Sequence, residues 1–253
     1  GINTELHNVE VLASSPQYNV KSVELFDNSD ENLSVGSYKN IKVNYIKSKP
    51  RKFSNISRFF QWIEFNIKSI LFIYKNRTQY DNIFIFSYPP TMNLVCIFTS
   101  KVLKINTVYS LWELYPEVAE KLNEEPNRIL KLFFKLLDNY ALKNVNKVVV
   151  NSNDLKKYLI SKRNIIARKI HVVNHFSPFI ESDYKPNFEL NNIFYAGNTG
   201  RPQNLSVFLN YFKKNFPNDW QLDIFGAGQE FDNLSEFSNH NIRVNNYLDR
   251  KEL

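Results

Sequence analysis

Short β-rich apolar runs alternate with longer helical stretches along almost the whole chain, and this restricts the fold to α/β with parallel sheets. Val9–Ala13 reads as a strand, followed by a polar loop to about Gly36. Ile41–Ile46 (IKVNYI) alternates like an edge or near-edge strand. Ser57–Asn76 predicts a long aromatic helix, Ile83–Ser87 (IFIFS) a buried strand, Met92–Leu103 a helix and Thr107–Leu111 a strand. Asn127–Lys143 follows as a helix opened by Pro126, then Lys147–Asn151 as a strand. Leu155–Ser161 reads as a helix capped from Ser152-Asn153-Asp154, and Ile170–Val173 as a further strand.

The stretch up to Leu190 holds Pro178 and Pro186 without periodicity and predicts a linker. Beyond it a second series runs Asn192–Ala196, Gln221–Phe225 and Ile242–Val244 as strands, with Gln203–Phe216 and Gln229–Phe237 as helices. Right-handed crossovers turn each series into a Rossmann-like domain. The predicted division is an N-terminal domain over 1–176, a linker over 177–190 and a C-terminal domain over 191–253. Three strands fall short of the usual five or six, and the first series opens without a preceding helix. The expectation is truncation at both ends, with the second domain incomplete and the first strand missing.

Composition narrows the chemistry. A single cysteine excludes a disulfide framework and a cysteine-based zinc site. Lys and Arg exceed Asp and Glu by seven charges, which favours anionic partners. The start, Gly1-Ile2-Asn3-Thr4-Glu5, has neither a basic nor an apolar leader region, and no run reaches the ~18 apolar residues of a membrane span. The expected place is the cytoplasm, at the inner face of the membrane if the chain is peripheral to it.

Glycine is scarce, and four of the six lie between Gly197 and Gly228. Open parallel sheets bind ligands beyond the C-terminal ends of their strands. There, Gly197-Asn198-Thr199-Gly200-Arg201-Pro202-Gln203 turns directly into a helix, whose free amides suit an anion, with Arg201 supplying a guanidinium. The same residues also fit a tight turn with a solvated Arg. Gly226-Ala227-Gly228 repeats the arrangement after the next strand, and two such turns together make a nucleotide-diphosphate platform. In the first domain, IFIFS runs into Tyr88-Pro89-Pro90-Thr91, and VYSL into Trp112-Glu113-Leu114-Tyr115-Pro116-Glu117. Aromatic rings and carboxylates at a strand end suit a sugar, although an ordinary surface loop with Trp112 tucked into the core is the stronger reading of that loop by itself.

Other chemistries find no residues. No G-x-S-x-G, Walker motif or Asp-x-Asp pair occurs, and His7, His171, His175 and His240 lack metal-ligand spacing. Cys96 sits in an apolar helix and reads as core. The 57–76 helix is apolar on most of its circumference and is bracketed by Arg51, Lys52, Arg58, Lys75 and Arg77. It fits a helix packed between sheet and neighbour, or an interfacial helix on an anionic membrane across 51–77. Nucleic-acid binding is not expected, because the basic residues are scattered and no known module is present.

The segments FYAGNTGRPQNL, LDIFGAGQEF and NIRVNNYLDRKEL resemble the C-terminal half of glycosyltransferase family 4, in its bacterial surface-polysaccharide branch. SYPPT, LWELYPE, VVVNS and IHVVNHF resemble its N-terminal half, so the likeness spans nearly the whole chain in order. It implies two Rossmann-like domains (the GT-B architecture) and metal-independent, retaining transfer with no cofactor. The nucleotide-sugar donor would bind the C-terminal domain and a glycan or lipid-linked acceptor the N-terminal one.

By the same resemblance Gly197, Asn198, Gly200 and Arg201 border the donor diphosphate, with Gln203 beside them. Gly226 and Gly228 line the nucleotide side, with Tyr247 near the base. Tyr88, Pro89, Trp112 and Tyr115 face the acceptor, and Arg201, Glu113 and Glu117 carry the catalytic roles. The chain departs from the pattern where relatives carry Arg and Lys, here Asn198 and Gln203, and Glu113 replaces an Asp. The family's glutamate pair would lie beyond Leu253. The resulting expectation is a hexosyltransferase-type enzyme using a UDP-sugar. A nucleotide-sugar 2-epimerase of the same fold and a binding-only fragment are the alternatives.

Overall fold

Four apolar runs separated by helices build the main sheet of the N-terminal part. The computed structural model describes residues 7–14, 33–38, 41–47, 55–121, 127–174 and 191–248. Chain contacts divide it into two compact units, 1–176 and 177–253, and the expected linker 177–190 lies outside the described residues. In unit 1, β1 (Glu10–Ser14), β2 (Leu33–Tyr38) and β3 (Ile41–Ile46) form one sheet, ordered β1-β3-β2. A second sheet is ordered β4-β5-β6-β7 and is parallel throughout: Asn82–Phe86, Asn106–Leu111, Lys147–Val150 and Ile170–Val172.

One sequence expectation is corrected here. The supposed loop before Gly36 ends in a strand, β2, antiparallel to β3. β3 is therefore the middle strand of its sheet, next to an edge on either side, which agrees with the near-edge reading of IKVNYI. LSVGSY hides its strand character because a glycine and two serines interrupt the apolar alternation. Glu10 on β1 ties this region together: burial pushes its carboxyl up, but hydrogen bonds from Lys42, Tyr80 and Asn44 outweigh that and hold it below the usual range.

The helices of unit 1 are α1 (Asn55–Lys75), α2 (Asn93–Ile97), α3 (Glu117–Lys121), α4 (Arg128–Asn144) and α5 (Asn153–Arg163). Because β4 to β7 lie in chain order, right-handed crossovers place α2, α4 and α5 on one face of the sheet. On that face Ile85, Tyr109, Leu111, Val148 and Val150 pack against Ile73 of α1, Cys96 of α2, Leu142 of α4 and Leu159 of α5. Phe84 and Phe86, on the opposite face, are half exposed. Local signals set the ends: Asn127 and Ser152 accept amide hydrogens of Ile129 and Leu155, and Asn164 closes α5 in the left-handed region at φ 53°.

The helix expected over Met92–Leu103 is in fact segmented, with a 3-10 turn at Pro90–Met92, then α2, then a wide turn over Phe98–Val102. Thr99 and Ser100 hydroxyls donate to the carbonyls of Val95 and Cys96, which loosens the regular ladder there.

Unit 2 holds β8 (Asn192–Asn198), α6 (Leu205–Asn215), β9 (Gln221–Ala227), α7 (Phe231–Ser235) and β10 (Ile242–Asn245). The three strands are parallel, with β9 in the middle. Leu209, Phe212, Leu222, Ile224, Leu234 and Ile242 form its core. No described helix is long and apolar enough to cross a membrane.

Candidate functional site

In unit 2 the strand ends carry the two glycine turns, and these turns lie against each other. Gly197 on β8 is in register with Gly226 on β9. The Thr199 amide donates to the Ala227 carbonyl at 3.2 Å, and the Thr199 carbonyl accepts from the Glu230 amide at 2.9 Å. A Cβ at Gly226 would fall 2.1 Å from the Gly197 carbonyl oxygen, and one at Gly228 would fall 2.5 Å from Asn198 Oδ1. None of the described glycines has a positive φ, so the demand at Gly226 and Gly228 is close approach rather than an unusual backbone. The glycines let one loop sit on the other.

Above this joint, Arg201–Gln203 forms a 3-10 turn, and Asn204 enters α6 in the left-handed region at φ 49°. Asn204 makes no side-chain cap on α6; the Val207 amide donates to the Asn204 carbonyl at 3.2 Å, and the amides of Leu205 and Ser206 ahead of it suit an anion. Arg201, Asn204, Ser206 and Glu230 line a cleft of about 280 Å³ there. Arg201 is 56% exposed, with its Nε 3.6 Å from Glu230 Oε1. An exposed pair of this kind is worth little and yields readily to a stronger anion. Thr199 Oγ1 is buried beneath the turn without a hydrogen-bond partner. Tyr247, beyond the end of β10, is exposed on the same C-terminal side of the sheet.

In unit 1 the ends of β4 and β5 hold the aromatic loop. Ser87 is buried, and its Oγ accepts the amides of Trp112 (3.0 Å) and Glu113 (3.4 Å). Trp112 stands edge-on to Phe86 at 5.6 Å and is half exposed, not tucked into the core. Tyr88 is likewise exposed, and cis bonds precede Pro89 and Pro116. Glu113 is exposed beside Trp112.

Glu117 lies differently. Its two oxygens accept from Nε and Nη2 of Arg163 at 3.0 and 2.7 Å, and Tyr158 Oη donates to the first at 3.0 Å. Arg163 is fully buried, and also donates to the Tyr115 and Lys135 carbonyls and to Asn139 Oδ1. The structure thus assigns Glu117 to an internal ion pair that clamps the loop.

Beside this pair, burial pushes the Asp138 carboxyl up to about 7, against the pull of Arg163 and of a hydrogen bond from Tyr109. The folded chain keeps a proton that the unfolded chain releases near 3.8, so the stability due to Asp138 is complete below 3.8 and declines as pH rises to about 7. An Asp138→Asn variant is expected to flatten that decline and to exceed the native chain above neutrality by a few kcal/mol, on the order of 4. Urea midpoints taken between roughly pH 5 and pH 8 check it. Parallel curves for the two proteins would remove Asp138 from the account.

Several of these groups escaped sequence reasoning. Glu230 directly follows the second glycine turn, and Ser87 directly precedes Tyr88, so proximity to the motifs was an available signal. Arg163 had none: ISKRNII reads as an ordinary basic helix end. Among the described residues no group of three or more His, Cys, Asp or Glu side chains could hold a metal ion.

Comparison with known proteins adds the following. A family model described as Glycosyltransferase Family 4 matches residues 5–176. No curated protein matches the sequence. Among solved structures, sucrose-phosphate synthase from Thermosynechococcus elongatus superposes with a TM-score of 0.61 at 12% identity, over 97% of this chain and 62% of that one. The chain thus spans less than two thirds of the synthase. A variant of S. aureus TarM, solved with fondaparinux, α-GlcNAc-glycerol and UDP, gives a TM-score of 0.39 at 13% identity, over 62% of this chain and 36% of that one.

Proposed function

The chain belongs to glycosyltransferase family 4, and from that premise we propose that it moves a sugar from a UDP-sugar to a lipid-linked glycan acceptor of a cell-surface polysaccharide. The fold is that of the GT-B glycosyltransferases. The observation that carries the donor assignment is the cleft in unit 2, where Arg201 stands over the uncapped start of α6 and the paired glycine turns. A diphosphate there would take the α6 amides and exchange Glu230 for itself on the Arg201 guanidinium. As the glycosidic bond to the leaving diphosphate lengthens, Arg201 and those amides meet the growing charge, a role other enzymes give to a metal. We assign transfer with retention and without metal on the family resemblance. Asn198 and Gln203 flank the diphosphate, and Tyr247 stacks near the base.

In unit 1, the exposed Tyr88 and Trp112, with the half-buried Tyr115, offer the aromatic surface that a sugar's C–H face requires, whereas Pro89 is buried and offers none. Glu113 is the carboxylate we assign to the acceptor hydroxyl, since Glu117 is held by Arg163. Residues 51–77 are assigned a peripheral membrane contact, α1 being their main described part; Arg51 and Lys52 lie outside the described residues. The protein is then cytoplasmic, at the inner membrane face.

Titration of UDP into the native chain and into Arg201→Ala tests the donor site. Loss of a charge-assisted contact worth about 1.5–3 kcal/mol corresponds to roughly ten- to a hundredfold weaker binding. GDP and ADP in the same titration decide the base. Equal UDP affinity in both proteins would place the diphosphate elsewhere.

A further inference from the structure

Helix α4 has two apolar faces where a core helix needs one. Ala141, Leu142 and Val145 face the sheet and are fully buried. On the opposite side, Ile129, Leu132, Phe133, Leu136 and Tyr140 recur at spacings of three and four residues and are 49–78% exposed. At 100° per residue they fall within an arc of about 100°, centred opposite the core positions, and run for about 16 Å along the helix. Nothing in the core explains this stripe.

α1 repeats the pattern. Ile73 enters the same core, while Phe60, Ile67, Leu71 and Tyr74 are 49–67% exposed along its outer side. α2 touches both α1 and α4, so the two stripes belong to one helical layer, roughly 16–20 Å apart at normal helix spacing. Two separated rows on a layer make a broad face rather than a groove for a single helix.

Charge selects the occupant. The exposed charged side chains of α4 are Arg128, Lys135 and Lys143, and its one acidic residue, Asp138, is buried in the core. Lys75 and Arg77 are exposed at the end of α1, with Arg77 stacked over Tyr74 at 4.6 Å, and the exposed Glu64 within the α1 row is neutralised by Lys68 at 2.7 Å. A symmetric pairing of two copies through α4 would bring these cations onto one another, which opposes a dimer. A flat anionic surface meets both the apolar rows and the cations. We propose that the α4 face, together with that of α1, seats unit 1 on an anionic phospholipid bilayer, with Leu132, Phe133 and Leu136 entering the headgroup boundary and Lys135 and Lys143 lying among the phosphates. The proposal adds α4 to the segment already assigned a membrane contact, and it does not depend on the identity of the donor.

Co-sedimentation with phosphatidylcholine vesicles, with and without about one third phosphatidylglycerol, tests it. The native chain is expected to bind the anionic vesicles at least ~tenfold more strongly, with the excess lost in high salt. The Leu132→Gln, Phe133→Gln, Leu136→Gln triple variant should bind them about a hundredfold less, because three apolar side chains no longer enter the bilayer boundary. Lys135→Glu with Lys143→Glu should remove the preference for phosphatidylglycerol at an unchanged melting temperature, which guards against a triple variant that fails to fold. Absence of binding to anionic vesicles, or native binding by the variants, would overturn the proposal. So would a native dimer that the triple variant renders monomeric while vesicles bind neither.

Discussion

Arg163→Met is expected to lower the stability of unit 1 by about 3–5 kcal/mol, the cost of leaving buried charge without its partner. The side chain has no solvent exposure, and five hydrogen bonds from it converge on Glu117, Tyr115, Lys135 and Asn139. Methionine fills much of the same volume, so the loss reports the charge and the orphaned acceptors rather than a cavity. Glu117 is four-fifths buried at its side chain and cannot simply turn to water. Urea unfolding followed by Trp62 and Trp112, both in unit 1, measures the effect. Adding Glu117→Leu to Arg163→Met should recover part of the loss, because two apolar side chains leave no unpaired charge. An unchanged midpoint in the single variant would mean that the pair contributes nothing.

Gly226→Ala should be comparably damaging in unit 2, at about 3 kcal/mol or more. The added methyl would stand 2.1 Å from a backbone oxygen and 3.0 Å from Thr199 Cγ2, so no rotamer change relieves it. β8 or β9 must shift, at the residue pair where their register is set. Gly197→Ala makes the control: the nearest atoms to its new Cβ would be those of the Tyr195 ring and hydroxyl, at 3.0 Å or beyond, and a side chain can give way. Fluorescence of Trp220 follows unit 2, and equal midpoints for the two alanine variants would deny the close approach its importance.

Much of this fold was legible because periodicity and caps agreed. The β4 to β7 series, the Ser152 cap and the extent of α1 all follow from local patterns that tertiary packing reinforces. β2 was not legible, since a serine on each face and a glycine break the apolar alternation that would mark it as a strand. The glycine turns were visible through their rarity, but their use was not. Sequence suggested bare backbone for a ligand, whereas Gly226 and Gly228 first serve to let two loops touch. Glu117 and Arg163 were opaque for a related reason. Forty-six residues separate them, and on its own Glu117 reads as a carboxylate for a sugar and Arg163 as a basic helix end. Pairings of that span belong to the topology, not to any window of the chain.

The joint between the glycine turns bears on how such a chain can change over generations. Thr199 exchanges its amide and carbonyl with Ala227 and Glu230, so the two turns hold each other's shape although 29 positions separate Asn198 from Ala227 in register. An insertion in either turn would break both contacts at once. A change of length in one turn must therefore be matched in the other if both contacts are to survive.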